Sequence, residues 1–185
     1  MSEATANYVT FEDFLVGERE AERRHELVGG QVYAMSGGTE RHDLIAGLIY
    51  QALLTGARAK GCRTFMSNRL IHTSDDSAYY PDVMVVCGTA PHVQYETDPA
   101  LIVEVQSPST RNIDRREKVV AYEQAQSLQL VLLVDPNDRR IEVAYPEDGR
   151  VHHWTAFGPG ELIATEYGVL HVDALYDELD AIATT

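Results

Sequence analysis

An α/β or α+β domain, a mixed β-sheet with helices between its strands, is the fold class this sequence predicts. Three observations carry it. Apolar runs at Tyr80 to Val86, Leu101 to Val105 and Gln129 to Val134 are short and read as buried strands. The segment from Thr39 to Lys60 instead spaces its apolar residues as a long helix does. Turn residues, among them Gly29-Gly30 and Asp135-Pro136-Asn137-Asp138, punctuate the chain between these runs. With 185 residues there is room for one domain, spanning 1–185, with a substantial core.

Each element has its own signal. Thr10 can cap a short helix running to Val16, with Asp13 at the third helical position. Glu18 to His25 is strongly charged and reads as further helix. His25 to Val28 and Gln31 to Met35 form a hairpin across the two glycines. Gly61 stops the long helix. Arg63 to Met66 and Arg69 to His72 are strands, followed by the runs starting at Tyr80 and Leu101. Ser107-Pro108-Ser109-Thr110 ends the second run and opens a helix from about Arg111 to Gln126. Gln129 to Val134 and Arg140 to Tyr145 pair as a hairpin. Strands near Val151 to Ala156 and Gly168 to Val172 follow, and Asp173 caps a last short helix.

Composition narrows the classes. Hydrophobic residues at 44% and charged residues at 24% are ordinary for a globular protein. No stretch approaches the ~20 apolar residues of a membrane span, and the first residues lack the basic and apolar regions of a signal peptide. A cytoplasmic location follows as an expectation, with Cys62 and Cys87 as two buried free thiols. The net charge of −14 argues against a broadly basic nucleic-acid surface. Its distribution is uneven, since no Lys or Arg lies between Arg69 and Arg111, or beyond Arg150. Arg63, Arg69, Arg111 and Arg115 flank the acidic interval and are the candidate contacts to a polyanion such as DNA.

The chemistry centres on two carboxylates. Asp82 follows Pro81 at the head of one apolar run, and Glu104 lies inside the other. A charge inside a buried strand is costly unless it is paired or holds a cation. Alternation puts Ile102, Glu104 and Gln106 on one face and Leu101, Val103 and Val105 on the other. Asp82 and Glu104, with Val105 offering only its main chain, are the candidate ligands of Mg²⁺ or Mn²⁺. Such an ion polarises a phosphoryl group and acidifies a bound water, which points to metal-assisted hydrolysis. Asp114, Lys118 and Tyr122 recur at i, i+4 and i+8 and form one helical stripe. Lys118 can bring a cation to the site, although the same spacing also suits a solvated ion pair with Asp114. Glu26 and His42 are accessory candidates.

The order of these motifs resembles that of the Uma2 family. The resemblance rests on Glu26-Leu27-Val28-Gly29-Gly30, His42, Pro81-Asp82-Val83, Glu104-Val105-Gln106-Ser107-Pro108-Ser109-Thr110, Asp114, Lys118, Tyr122 and Leu133-Val134-Asp135-Pro136. It runs from about Val9 to Leu175. It implies a restriction-endonuclease-like fold of the PD-(D/E)XK superfamily, with Asp82 at the motif aspartate and Glu104 at the second acidic position. Gln106 stands where the superfamily lysine is expected, and Lys118 is the implied substitute. Together these expectations describe a Mg²⁺-dependent DNA endonuclease, working as a homodimer. The competing class is a non-catalytic protein that keeps the fold and binds a metal or a partner.

Overall fold

The computed structural model describes residues 8–35, 37–89, 94–107 and 117–183. Helix α1 (Phe11–Glu20) starts where Thr10 Oγ1 accepts the Asp13 N–H at 3.3 Å. It stops at Glu20 and does not run on to His25 as the charge pattern predicts. The buried Glu18 carboxylate accepts the His25 backbone N–H at 3.1 Å and pulls the chain back toward the hairpin. That hairpin, β1 (His25–Val28) and β2 (Gln31–Ala34), turns through Gly29 and Gly30 at φ +55° and +76°. Glycine reaches both values without strain.

Helix α2 (Glu40–Ala59) is capped by Thr39, whose Oγ1 accepts the His42 N–H at 3.3 Å. Strands β3 (Arg63–Met66), β4 (Leu70–Ser74), β5 (Ser77–Tyr79), β6 (Val83–Val86), β7 (Tyr95–Glu96) and β8 (Pro99–Val105) come next. A short helix α3 (Val119–Tyr122) follows. The chain closes with β9 (Leu130–Asp135), β10 (Arg140–Ala144), β11 (Thr155–Phe157), β12 (Leu162–Thr165), β13 (Gly168–His171) and α4 (Val172–Ala183). Of the helix predicted from Arg111 to Gln126, residues 111–116 lie outside the described residues. Its described part gives way after Tyr122 to tight i→i−3 turns, with Gln124 N donating to Ala121 O and Ala125 N to Tyr122 O.

The fold class is the predicted mixed α+β, but the strands divide between sheets. The order β11-β10-β9-β8-β6-β3 makes a six-stranded sheet, parallel between β8 and β9 and antiparallel elsewhere. The order β2-β1-β5-β4-β7 makes a second, and β12-β13 is a separate ribbon. Pro81 explains part of the division: it has no N–H for a ladder and falls between β5 and β6.

Strand β8 is buried along its whole length. Leu101, Val103 and Val105 pack with Ile45, Ile49 and Leu53 of α2 and Leu175 and Leu179 of α4. Ile102 faces the other way with Met84, Val131, Val119 and Tyr122. Helical cover on both faces fixes the register of β8, because a one-residue slip would exchange the two sets. Among the described residues, no helix is long and apolar enough to cross a membrane.

The cysteines depart from expectation. Cys62 and Cys87 form a disulfide across β3 and β6. The pairing of Arg63 with Val86 sets the two cysteines opposite each other, one residue beyond the ladder. Their separation of 25 residues carries no such information without the strand register.

Candidate active site

The site is built where β8 outruns β6. The described ladder between them starts at Val83 opposite Val103, so the Val105 N–H lies past the end of the β6 backbone. Asp82 Oδ2 accepts that N–H at 2.7 Å. The carboxylate thus takes the place of a ladder bond, which holds one oxygen against β8. Oδ1 accepts no hydrogen bond from the described residues. His42, in the first turn of α2, brings Nε2 to 3.3 Å from the same Oδ2. Its Nδ1 is 3.3 Å from Asp43 Oδ1. Hydrogen bonding to Asp82 raises the His42 pKa above its ordinary value, against the opposing effect of burial.

Glu104 is buried on the Ile102 face of β8. Tyr122 Oη donates to Glu104 Oε1 from α3. Tyr122 is fully buried, and burial first, then the negative charge of Glu104, holds its hydroxyl proton far above the ordinary tyrosine range. Tyr122 is therefore a donor to Glu104 and not a proton source near neutral pH.

Lys118 stands one helical turn before Tyr122. Its Nζ donates to Glu26 Oε1 at 2.8 Å and lies 3.8 Å from Glu104 Oε2. Lys118 and Glu26 are both largely shielded, at 11% and 14% side-chain exposure. The Lys118 ammonium is therefore enclosed at the site and not in bulk solvent, while Asp114, its other expected partner, lies outside the described residues. Glu26 is fixed in turn by the Tyr80 N–H, which it accepts at 3.3 Å.

Asp82, Glu104, Val105, Gln106, Lys118, Glu26 and His42 all line one cavity of about 560 Å³. Gln106 N–H donates to Val134 O at 2.8 Å, while its side-chain nitrogen is buried and has no partner among the described residues. Asp114, Arg111 and Arg115 lie outside the described residues. Arg63 and Arg69 are not in the cavity lining. Both grip Glu96 instead, at 2.8 and 3.0 Å from Arg63 and 2.6 and 2.9 Å from Arg69.

The donor set suits a hard divalent ion. Asp82 and Glu104 supply carboxylate oxygens to the cavity wall, and Asp82 Oδ1 accepts no hydrogen bond from the described residues. Among the described residues, no group of three or more His, Cys, Asp and Glu is gathered as a ready cage. An ion held by two carboxylates that keeps much of its water is the mode Mg²⁺ prefers.

Two lining features escape the sequence reading. Tyr33 and Met35 belong to the second limb of the hairpin, and Gly37 and Gly38 precede α2. A Cβ at Gly38 would fall 2.8 Å from both His42 Nδ1 and Asp43 Oδ1, so glycine there lets the backbone pass close to the histidine. No pattern in the sequence links these residues to Glu104, because the contact is made only by the fold.

Comparison with known proteins gives a consistent picture. Residues 11–170 match the model of the Uma2 family, described as "Putative restriction endonuclease". The chain is 32% identical over 140 residues to the uncharacterised protein slr1290 of Synechocystis sp., covering 74% of each. It is 27% identical over 168 residues to the uncharacterised protein sll1609 of the same organism, covering 88% of this chain and 89% of the other. A crystal structure from Anabaena variabilis, titled a putative nuclease belonging to DUF820, superposes with a TM-score of 0.75 at 18% identity. It covers 92% of this chain and 99% of that one, a likeness of fold.

Proposed function

This chain belongs to the Uma2 family, and from that premise we propose that it is a Mg²⁺- or Mn²⁺-dependent endonuclease that hydrolyses DNA phosphodiester bonds. One observation carries the reading: Asp82 and Glu104, from two apolar strands, line the same cavity with Lys118 between Glu104 and Glu26. Asp82 and Glu104 would hold the ion. When bound, it would polarise the phosphoryl group and lower the pKa of a water. Asp82 is oriented for this by Val105 N–H, and Glu104 by Tyr122. Lys118 places a fixed positive charge where negative charge develops on the phosphate, and the hydrogen bond to Glu26 limits its movement. The Gln106 amide supplies hydrogen bonding beside Glu104 without charge.

A homodimer is part of this reading, since cutting both strands of a duplex calls for two sites. Light scattering that finds only monomer at micromolar concentration would remove that part. The central test incubates plasmid and single-stranded DNA with the protein and Mg²⁺, Mn²⁺ or EDTA. Cleavage should need the metal and be absent in EDTA. Glu104→Gln keeps volume and an acceptor for Tyr122 but removes a ligand charge, and should lower the rate by about 100-fold or more. Full cleavage by this variant, or in EDTA, would make the carboxylates structural. The capture of Arg63 and Arg69 by Glu96, with the net charge of −14, favours a second reading, a metal- or partner-binding protein. Thermal stabilisation by Mg²⁺ with no cleavage would select it.

A further inference from the structure

We propose that Tyr33 is a stacking platform for an unpaired nucleobase at the mouth of the cavity; this rests on the nucleic-acid reading above and specifies which part of the substrate is gripped. The register pairs Tyr33 directly with Glu26. Residues opposite each other in an antiparallel pair project to the same face. Tyr33 therefore shares a face with the carboxylate that holds Lys118, and it lines the same cavity. It lies on β2, the edge strand of its sheet, and is 56% exposed. A side chain at Gly37 would meet nothing within 4 Å, so this part of the rim is open.

Charge explains why such a grip is needed. The described carboxylates of the lining are Glu26, Asp82, Glu104 and Glu117, against Lys118 and His42. Lys118 is already engaged by Glu26. No arginine is among the described lining residues. A polyanion entering this cavity gains little from Coulomb attraction to these side chains, even with a divalent ion in place. The lining also carries two tyrosine rings: Tyr80 is buried at 4% exposure, whereas Tyr33, beside Val28 and Met35, is the exposed one. An aromatic ring recognises the face of a base, and does so with any base. In a duplex those faces are covered by their neighbours, so the substrate this site favours has an unpaired base at the cut: a single strand, a flap or a flipped nucleotide.

The test measures binding apart from cleavage. Fluorescence anisotropy would follow a labelled oligo(dT), an abasic strand of equal length and charge, and a blunt duplex, with Ca²⁺ in place of Mg²⁺. The native chain should prefer oligo(dT) to the abasic strand. Tyr33→Ala should weaken oligo(dT) binding roughly 5- to 150-fold, the range for losing one base–aromatic stack, and erase that preference. Tyr33→Trp should retain it. Val32→Ala, an exposed change on the opposite face of β2, is the control for folding and should bind as the native chain does. Oligo(dT) binding undiminished in Tyr33→Ala, equal binding of the abasic strand by the native chain, or no strand binding at all would overturn the inference. If Tyr33→Ala binds oligo(dT) normally while the native chain still cuts duplex DNA, the inference fails and the endonuclease reading stands. If base-dependent binding requires Tyr33 but no DNA is cut with Mg²⁺ or Mn²⁺, the inference stands and the endonuclease reading fails.

Discussion

Glu96 and Glu104 are buried to nearly the same degree, 1% and 3% exposed, but their surroundings treat them in opposite ways. Arg63 and Arg69 both fork onto Glu96, so two permanent positive charges face one negative one. Phe65 sits beneath both guanidiniums, with centroids 5.3 and 5.5 Å away. That knot ties β3 to β4 and β7, and it is complete without any ligand. Glu104 has a tyrosine hydroxyl and a lysine shared with Glu26, beside a third carboxylate, on the wall of a 560 Å³ cavity. Burial of an acid therefore does not mark a functional site. What sets the second cluster apart is its place: among the described residues of that cavity's lining, carboxylates outnumber cations beside open space, which is the setting a bound cation needs.

The comparison predicts opposite phenotypes for breaking each cluster. The largest effect should come from Lys118→Met. Without the ammonium, the rate of DNA cleavage should fall by about 100- to 1,000-fold, as when one preorganised charge-stabilising donor is removed. Divalent-ion affinity, read by calorimetry, should hold or tighten, since a competitor for Glu104 is gone. Loss of ion affinity alongside the loss of rate would show instead that Lys118 orders the carboxylates. Glu96→Ala should do the reverse and leave single-turnover cleavage unchanged. It should destabilise the fold by roughly 3 kcal/mol in urea unfolding, at the low end for a broken buried pair because Arg63 keeps about a third of its surface in solvent. A Glu96→Ala protein of native stability would dissolve the distinction between the two clusters.

The sequence made one cluster visible and hid the other, for a physical reason. Asp82 and Glu104 interrupt apolar runs, so the cost of burying charge flags them with no knowledge of the fold. Lys118 and Tyr122 are legible because four residues on a helix put both against the same neighbour. Glu96 lies in a two-residue strand without apolar context, and its partners are 27 and 33 residues away. Arg63 and Arg69 stand in the sequence as basic residues flanking an acidic interval, and only the fold brings both onto Glu96. The short strands Ser77–Tyr79 and Leu162–Thr165 gave no periodic signal, because three or four residues are too few to alternate clearly. Glu26 meets Lys118 across 92 residues, the disulfide depends on strand register, and Tyr33 reaches the cavity only through its pairing with Glu26. Each of these is fixed by tertiary pairing and leaves no local trace.

The smallest expected effect is the most direct probe of where a cation sits. Hydrogen bonding to Asp82 raises the His42 pKa above 6.5, so the folded protein holds that proton more firmly than the unfolded chain. The resulting stability is fully present below the unfolded-state value near pH 6.5. It is lost as pH rises through the higher folded-state pKa, and His42→Gln should abolish this dependence in urea unfolding curves. A divalent ion at Asp82 takes the carboxylate that sustains the imidazolium. Mg²⁺ should therefore lower the His42 midpoint in an NMR titration and release a proton on binding, making ion affinity rise with pH across that range. Mg²⁺ that binds, as judged by calorimetry, yet leaves the His42 midpoint in place is bound somewhere other than Asp82. The carboxylates of the Asp82–Glu104 cavity would then be a structural charge cluster of the Glu96 kind.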